Sequence, residues 1–330
     1  MEFRTKVEPL KNLKAINHSD EIMLFGSCFA QNIGNLLTEN KFRCDVNPFG
    51  VLYNPLSIIE AIYQIIDRKS YTQNDLFFDG VEWHSWMHHS SFSDMDMDRT
   101  LFNINSRLVK ANENIGNADW LFITFGTAYV YFLQDGTVAG NCHKQSDKLF
   151  DRHLINVNRI INEWKSLLVE LKKINPNIKI MFTVSPIRHI KDGLHGNQIS
   201  KSTLLLAVND ICNNEDNCFY FPSYEIMMDD LRDYRFYAED MVHPSQVAVN
   251  YIWEIFEETT LSQSAKDIIN EWDGIKKGLN HRPFNPHSTA YHKFLTQIVL
   301  KINRMKEKFP YFDVQKEIEQ CQAQLKTLAN

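Results

Sequence analysis

Apolar residues fall into two alternating rhythms along this chain. Apolar runs at 22–25, within 119–125, at 178–184 and at 218–221 read as strands buried on both faces. Between them, 31–40, 56–67, 154–174, 200–212 and 247–258 carry apolar residues at helical spacing. In 154–174, for example, Ile160, Ile161, Trp164, Leu167, Leu168 and Leu171 share one face. The alternation predicts an α/β protein, a three-layer α/β/α sandwich around a central, mostly parallel sheet. Residues 1–260 are expected to form that domain, with 68–116 as an inserted lid over the site. Residues 261–330 are expected to form a helical extension packed on the same domain, its apolar face set by Phe294, Ile298, Val299, Ile302 and Met305.

Composition narrows the class. A chain of 330 residues with 44% hydrophobic content can bury a full core, and no linker-like stretch or internal repeat divides it. A net charge of -6 without a basic stripe argues against an electrostatic nucleic-acid binder. No run approaches the 18 or so apolar residues of a membrane span, and residues 1–9 lack a basic segment followed by an apolar one, so a cytoplasmic location is expected. The cysteines Cys28, Cys44, Cys142, Cys212, Cys218 and Cys321 are scattered without a Cys-x-x-Cys pair and read as free thiols.

Candidate chemistry begins where the first strand ends. Gly26-Ser27-Cys28-Phe29-Ala30 places two small nucleophiles between a strand and the helix that follows, beside free N–H groups and the positive end of a helix dipole. Such a position lowers a thiol pKa and can hold an oxyanion. Far along the chain, Asp240 and His243 stand three residues apart, with Pro244 holding His243 in a loop. An acid beside a histidine is what a Ser or Cys nucleophile requires, to fix the tautomer and steady the imidazolium. After the run at 178–184, Arg188 and His189 fall at the carboxyl edge of a strand, where ligands bind. Arg188 could hold a carboxylate or phosphate through its planar fork. Arg232 and Arg235 are expected to pair with Glu225, Asp229 and Asp233 and so brace the Asp240–His243 loop. The cluster His84, His88 and His89 has no established acidic partner, so no metal is assigned and no cofactor is expected.

The pentapeptide, together with Asn47–Pro55, Thr124–Ala128, Thr183–His189 and the run from Tyr220 to Ser245, resembles the GSCFA-domain family, itself similar to a branch of the SGNH/GDSL hydrolase superfamily. The resemblance covers most of residues 1–260. It implies a flavodoxin-like sandwich and ester or acyl chemistry. Laid on the superfamily's Gly-Asp-Ser-Leu block, Gly26-Ser27-Cys28-Phe29 puts Cys28 at the nucleophile, with Ser27 as the alternative in a register shifted by one. Gly50 takes the place of the second-block glycine whose N–H faces the oxyanion. In the third block this chain reads Gly126-Thr127-Ala128-Tyr129, without the superfamily's asparagine. One oxyanion donor is worth about 3–4 kcal/mol of transition-state stabilisation.

The resulting expectation is an acyl-ester hydrolase, an esterase or thioesterase with carbohydrate O-acetyl esters among its candidate substrates. Cys28 or Ser27 attacks, His243 carries the proton and Asp240 orients it, while Gly50, Gly126, Thr127, Arg188 and His189 bind substrate or oxyanion. The alternatives are an acyltransferase using the same triad and a binding module that keeps the pocket without turnover. The expected partner is a small-molecule or glycan ester, with the oligomeric state left open.

Overall fold

The computed structural model describes residues 4–8, 13, 15–285 and 287–327. Residues 1–3 and 9, part of the segment read above for a leader, lie outside them. Five strands, β1 (Glu21–Gly26), β2 (Arg43–Val46), β3 (Trp120–Phe125), β4 (Lys179–Val184) and β5 (Cys218–Tyr220), form one sheet in the order β5-β4-β3-β1-β2. The pairs β1–β3, β3–β4 and β4–β5 are parallel. Read in chain numbering this is 2-1-3-4-5, the flavodoxin-like order. The expected α/β sandwich is the fold of the chain.

The sheet is central because its inner strands are buried on both faces. Every residue of β3 is buried, as is all of β1 after Glu21. Helices α1 (Cys28–Glu39), α2 (Pro55–Ile66), α3 (Met97–Asn117), α4 (Val157–Ile174) and α5 (Gly193–Asn214) lie between the strands in the chain, and α6 (Gln246–Thr260) follows the last of them. Their starts follow local chemistry. Asn54 caps α2 by accepting from Ser57 N at 2.9 Å, with Pro55 at the first helical position. Asn156 caps α4 by accepting from Arg159 N at 2.8 Å. Helix α4 therefore starts later than the spacing predicts, since Leu154 ends a strand, Phe150–Leu154, of a small antiparallel sheet with Tyr129–Leu133 and Val138–Ala139.

Region 68–116 corrects one expectation. Its second half is α3, whose Ile104, Leu108, Ala111 and Ile115 join the same apolar core as Ile123 of β3 and Ile62 of α2. In the part before α3, Tyr71 and Met87 belong to that core as well. The chain divides into two compact units, 1–13 with 21–35 and 44–259, and 14–20 with 36–43 and 260–330. A boundary at residue 260 therefore misses two early segments. The second unit has its own core. Trp272 and Ile275 of α7 (Gln263–Leu279) cluster with Ile298, Ile302 and Met305 of α8 (Thr289–Lys308) and Cys321 of α9 (Gln315–Thr327). Trp272 also donates its indole N–H to Glu39 O at 2.9 Å. In α8 the buried face runs through Tyr291, Leu295, Ile298, Ile302 and Met305, so Phe294 sits at its edge. No helix among the described residues is long and apolar enough to cross a membrane.

Candidate active site

Strands β1 and β3 are neighbours whose onward connections run to opposite sides, and the crevice at that switch point is where such sheets bind ligands. The register brings Gly26 level with Thr124, and Thr124 level with Thr183, so the turns after β1, β3 and β4 emerge along one edge. A cleft of about 560 Å³ lies there. Ser27, Cys28, Thr127, Arg188, His189 and His243 all line it. Gly50, Gly126 and Asp240 are not part of the lining.

The turn after β1 is built for closeness. Gly26 has φ +148°, and a Cβ there would overlap the backbone oxygen of Thr124 on β3. Its N–H donates to Asn47 Oδ1 at 2.9 Å. Ser27 is buried, with its hydroxyl donating to Ser185 Oγ at 3.1 Å and accepting from Phe29 N at 3.2 Å. That hydroxyl holds the turn to the loop after β4. Cys28 opens α1, so its N–H has no carbonyl within the helix to bind and the helix dipole favours negative charge beside it. Its thiol is half-buried in the cleft, 3.9 Å from the Tyr53 hydroxyl.

The second half of the site is a loop folded around a carboxylate. Asp240 Oδ1 accepts from the N–H groups of Val242 and His243, both at 2.9 Å, while Oδ2 is 2.6 Å from His243 Nδ1. Those two backbone N–H groups, and then the imidazole, hold the Asp240 carboxyl down at about 2. Asp240 is therefore anionic at neutral pH, which fixes the proton of a neutral His243 on Nδ1 and leaves Nε2 as the basic nitrogen. Backbone bonds hold the loop: Ala238 N to His243 O at 2.8 Å, Ser245 N to Phe236 O at 2.8 Å and Arg188 N to Val242 O at 3.2 Å. The arginine bracing expected from sequence is not what does this. Arg235 pairs with Asp233 on the surface, and Glu225 accepts from Tyr220 OH instead.

The oxyanion assignments need correction. Gly50 N–H donates to Asn47 O at 2.8 Å within a tight turn, where Gly50 has φ +77°, so it offers nothing to a substrate. The Asn47–Gly50 turn instead buttresses Gly26 through the Asn47 side chain. Gly126 and Thr127 both donate their N–H groups to Tyr53 O, at 2.7 and 2.9 Å. Thr127 Oγ1 accepts from Tyr129 N and pairs with Ser200 Oγ at 3.0 Å.

His189 and Arg188 do reach the cleft. His189 packs edge-on against Tyr53, and burial pushes its imidazole down to about 3, so it stays neutral; among the described residues its buried Nε2 has no hydrogen-bond partner. It cannot act as a cation at neutral pH. The Arg188 guanidinium lies 4.2 Å from the centre of the Tyr237 ring and 5.6 Å from that of Tyr234.

Of the histidine cluster, His88 is core. It stacks on Phe49 at 4.3 Å, pairs with Ser85 Oγ at 3.0 Å, and is pushed down to about 3 by burial. His84 Nδ1 pairs with Ser93 Oγ at 2.6 Å, and His89 lines the cleft wall with Ser90. Among the described residues no three His, Cys, Asp or Glu side chains gather where a metal ion could be held.

Residues 21–256 match the model of the GSCFA family, and 272–327 match that of the GSCFA domain protein C-terminal domain. The chain belongs to the GSCFA family. A solved structure described as Clostridium thermocellum family 3 carbohydrate esterase is similar to it at 16% identity, over 77% of this chain and 98% of that one, with a TM-score of 0.32. No curated protein matches.

In this GSCFA protein each letter of the motif has a distinct task. Gly26 permits the close approach to β3, Ser27 ties the turn, Cys28 faces the cleft, and Phe29 and Ala30 are buried behind it. Two site residues were missed in the sequence. Lys201 is fully buried and donates to Gly126 O at 2.7 Å and Ser185 O at 2.6 Å, clamping the loops after β3 and β4. It falls on the apolar face of α5 with Leu204, Val208 and Ile211, a signal the spacing carries. Tyr53 carries no such signal, because its carbonyl and hydroxyl both act through tertiary contacts.

Proposed function

We propose that this protein is an acyl-ester hydrolase working through an acyl-enzyme on Cys28. The observation that carries the reading is that Cys28, at the open end of a helix, shares one cleft with His243, whose tautomer Asp240 fixes. Ser27 is the weaker candidate because its hydroxyl is already engaged on both sides. His243 Nε2 takes the thiol proton and the sulfur attacks the ester carbonyl, forming an S–C bond and moving the π electrons onto oxygen. The oxyanion collapses and expels the alcohol, which receives the proton from His243. Water then attacks the thioester, gives its proton to His243, and the acid leaves as the thiolate is reformed. The Cys28 N–H at the helix terminus supplies one donor to the oxyanion.

The cleft suits a small or glycan ester, and an acceptor hydroxyl in place of water would make the same intermediate a transferase. Intact-mass spectrometry after p-nitrophenyl acetate tests the reading. An acetyl adduct that maps to Cys28 and disappears on standing is the expected result. No adduct, in a protein whose Cys28 still reacts with iodoacetamide, would overturn it.

A further inference from the structure

The acyl-enzyme reading leaves the oxyanion short of donors. The asparagine of the superfamily's third block is absent, and the N–H groups of Gly50, Gly126 and Thr127 are bonded to Asn47 O and Tyr53 O. Yet the residue that engages two of those amides brings a donor of its own. Tyr53 accepts from Gly126 N and Thr127 N through its carbonyl, so its main chain is pinned to the loop after β3. The next residue, Asn54, caps α2. The Tyr53 ring is steadied edge-on by His189, with centroids 5.9 Å apart. From that fixed base the hydroxyl reaches into the cleft, 3.9 Å from Cys28 Sγ. Partial burial, and next the neighbouring thiol, raise the phenol above its ordinary value, so it keeps its proton throughout the working range.

A carbonyl oxygen on a carbon newly bonded to Sγ projects away from sulfur. Stabilising it takes a donor about 2.7–3.1 Å from its position. A phenol 3.9 Å from the sulfur is within reach of that position, and it comes from a loop whose placement is set by four hydrogen bonds.

We infer that the Tyr53 hydroxyl is an oxyanion donor of this site, standing in for the missing asparagine; this rests on Cys28 being acylated. In the addition step the sulfur–carbon bond forms, the carbonyl π electrons move to oxygen, and the Tyr53 O–H hydrogen bond strengthens as that oxygen becomes negative. The phenol donates a hydrogen bond only and remains protonated as the oxyanion collapses.

The test separates acyl addition from simple thiol reactivity. Tyr53→Phe keeps the ring, the packing on His189 and the carbonyl that holds Gly126 and Thr127. Two rates are measured on the full chain: acetylation of Cys28 by p-nitrophenyl acetate, which builds an oxyanion, and alkylation by iodoacetamide, which displaces iodide and builds none. The expected result is an acetylation rate lower by about 10²–10³-fold, with alkylation changed less than about threefold and its pH profile unmoved. A parallel fall in both rates would assign Tyr53 to tuning the thiol and overturn the inference, as would no fall in either. If wild-type protein is alkylated but never acetylated, the acyl-enzyme reading itself fails and takes this assignment with it. That outcome is distinct because it shows before any variant is made.

Discussion

Lys201→Met examines the clamp beneath the cleft. The native ammonium is fully buried, and burial pushes it down from 10.5 to about 7, while its two contacts to Gly126 O and Ser185 O work in the opposite direction. At about 1.36 kcal/mol per pH unit, the cost of charging it in the folded state is at most about 5 kcal/mol. That cost is present in full below pH 7, where folded and unfolded chains both carry the proton. Between pH 7 and 10.5 the unfolded chain holds a proton the folded one lacks, so wild-type stability rises with pH across that window. Methionine has no such dependence. It leaves two buried carbonyls without donors, at about 1–3 kcal/mol each, against which the relieved charge burial is set. The variant should therefore lie close to wild type near pH 6.5 and fall behind it by a further 2 kcal/mol or so at pH 9. Urea unfolding of both proteins at the two pH values, followed by tryptophan fluorescence, measures this. A difference between them that is the same at both values would refute the buried, titrating amine.

Other substitutions address the chemistry directly. Cys28→Ala should abolish the acetyl adduct, whereas Ser27→Ala should keep it while lowering stability by about 1–3 kcal/mol, because Phe29 N loses its buried partner; an adduct lost only in Ser27→Ala would reverse the assignment of nucleophile. His243→Gln should lower kcat by about 10²–10⁴-fold, and Asp240→Asn should approach the same loss by releasing the tautomer, with pre-steady-state acylation rates as the readout. His88 is held neutral down to about pH 3, so from its ordinary 6.5 downward the unfolded chain takes up a proton that the folded one refuses and stability falls with pH. His88→Phe should flatten that acid slope, and chemical denaturation at pH 7 and 4.5 would detect it.

What the sequence made legible was whatever depends on local order. The run that stops at Gly26 and the Asp240-x-x-His243 loop act over a few residues, and each is where pattern and chemistry place it, whereas the cap at Asn156 starts α4 at Val157, later than the apolar spacing from 154 suggests. Gly50 was misread because a glycine N–H aimed at an oxyanion and one closing a turn onto Asn47 look identical until the backbone is seen. The lid reading of 68–116 rests on the aromatic and histidine-rich stretch at 82–94, and it overlooks α3, in which Ile104, Leu108, Ala111 and Ile115 keep the helical spacing of a core face. In α8, Phe294 is 36% exposed because the buried stripe passes through Leu295 instead. Lys201 was readable as a charge on an apolar face, but the carbonyls it joins are 75 and 16 residues away. Tyr53 was beyond reach for the same reason.

The cleft draws its floor and its wall from different stock. Ser27, Cys28, Thr127 and His243 come from turns at the sheet's edge, while His89, Ser90, Gly140–Lys144 and Arg152 come from segments outside the five strands. Under the proposed chemistry the turns would carry reactivity and the outer segments selectivity. The wall is not free to change throughout, because Gly140 is packed against Leu52, whose N–H holds Gly26 O, so an exposed wall position such as Lys144 is where the cleft can be reshaped without pressing on the turn that holds the thiol.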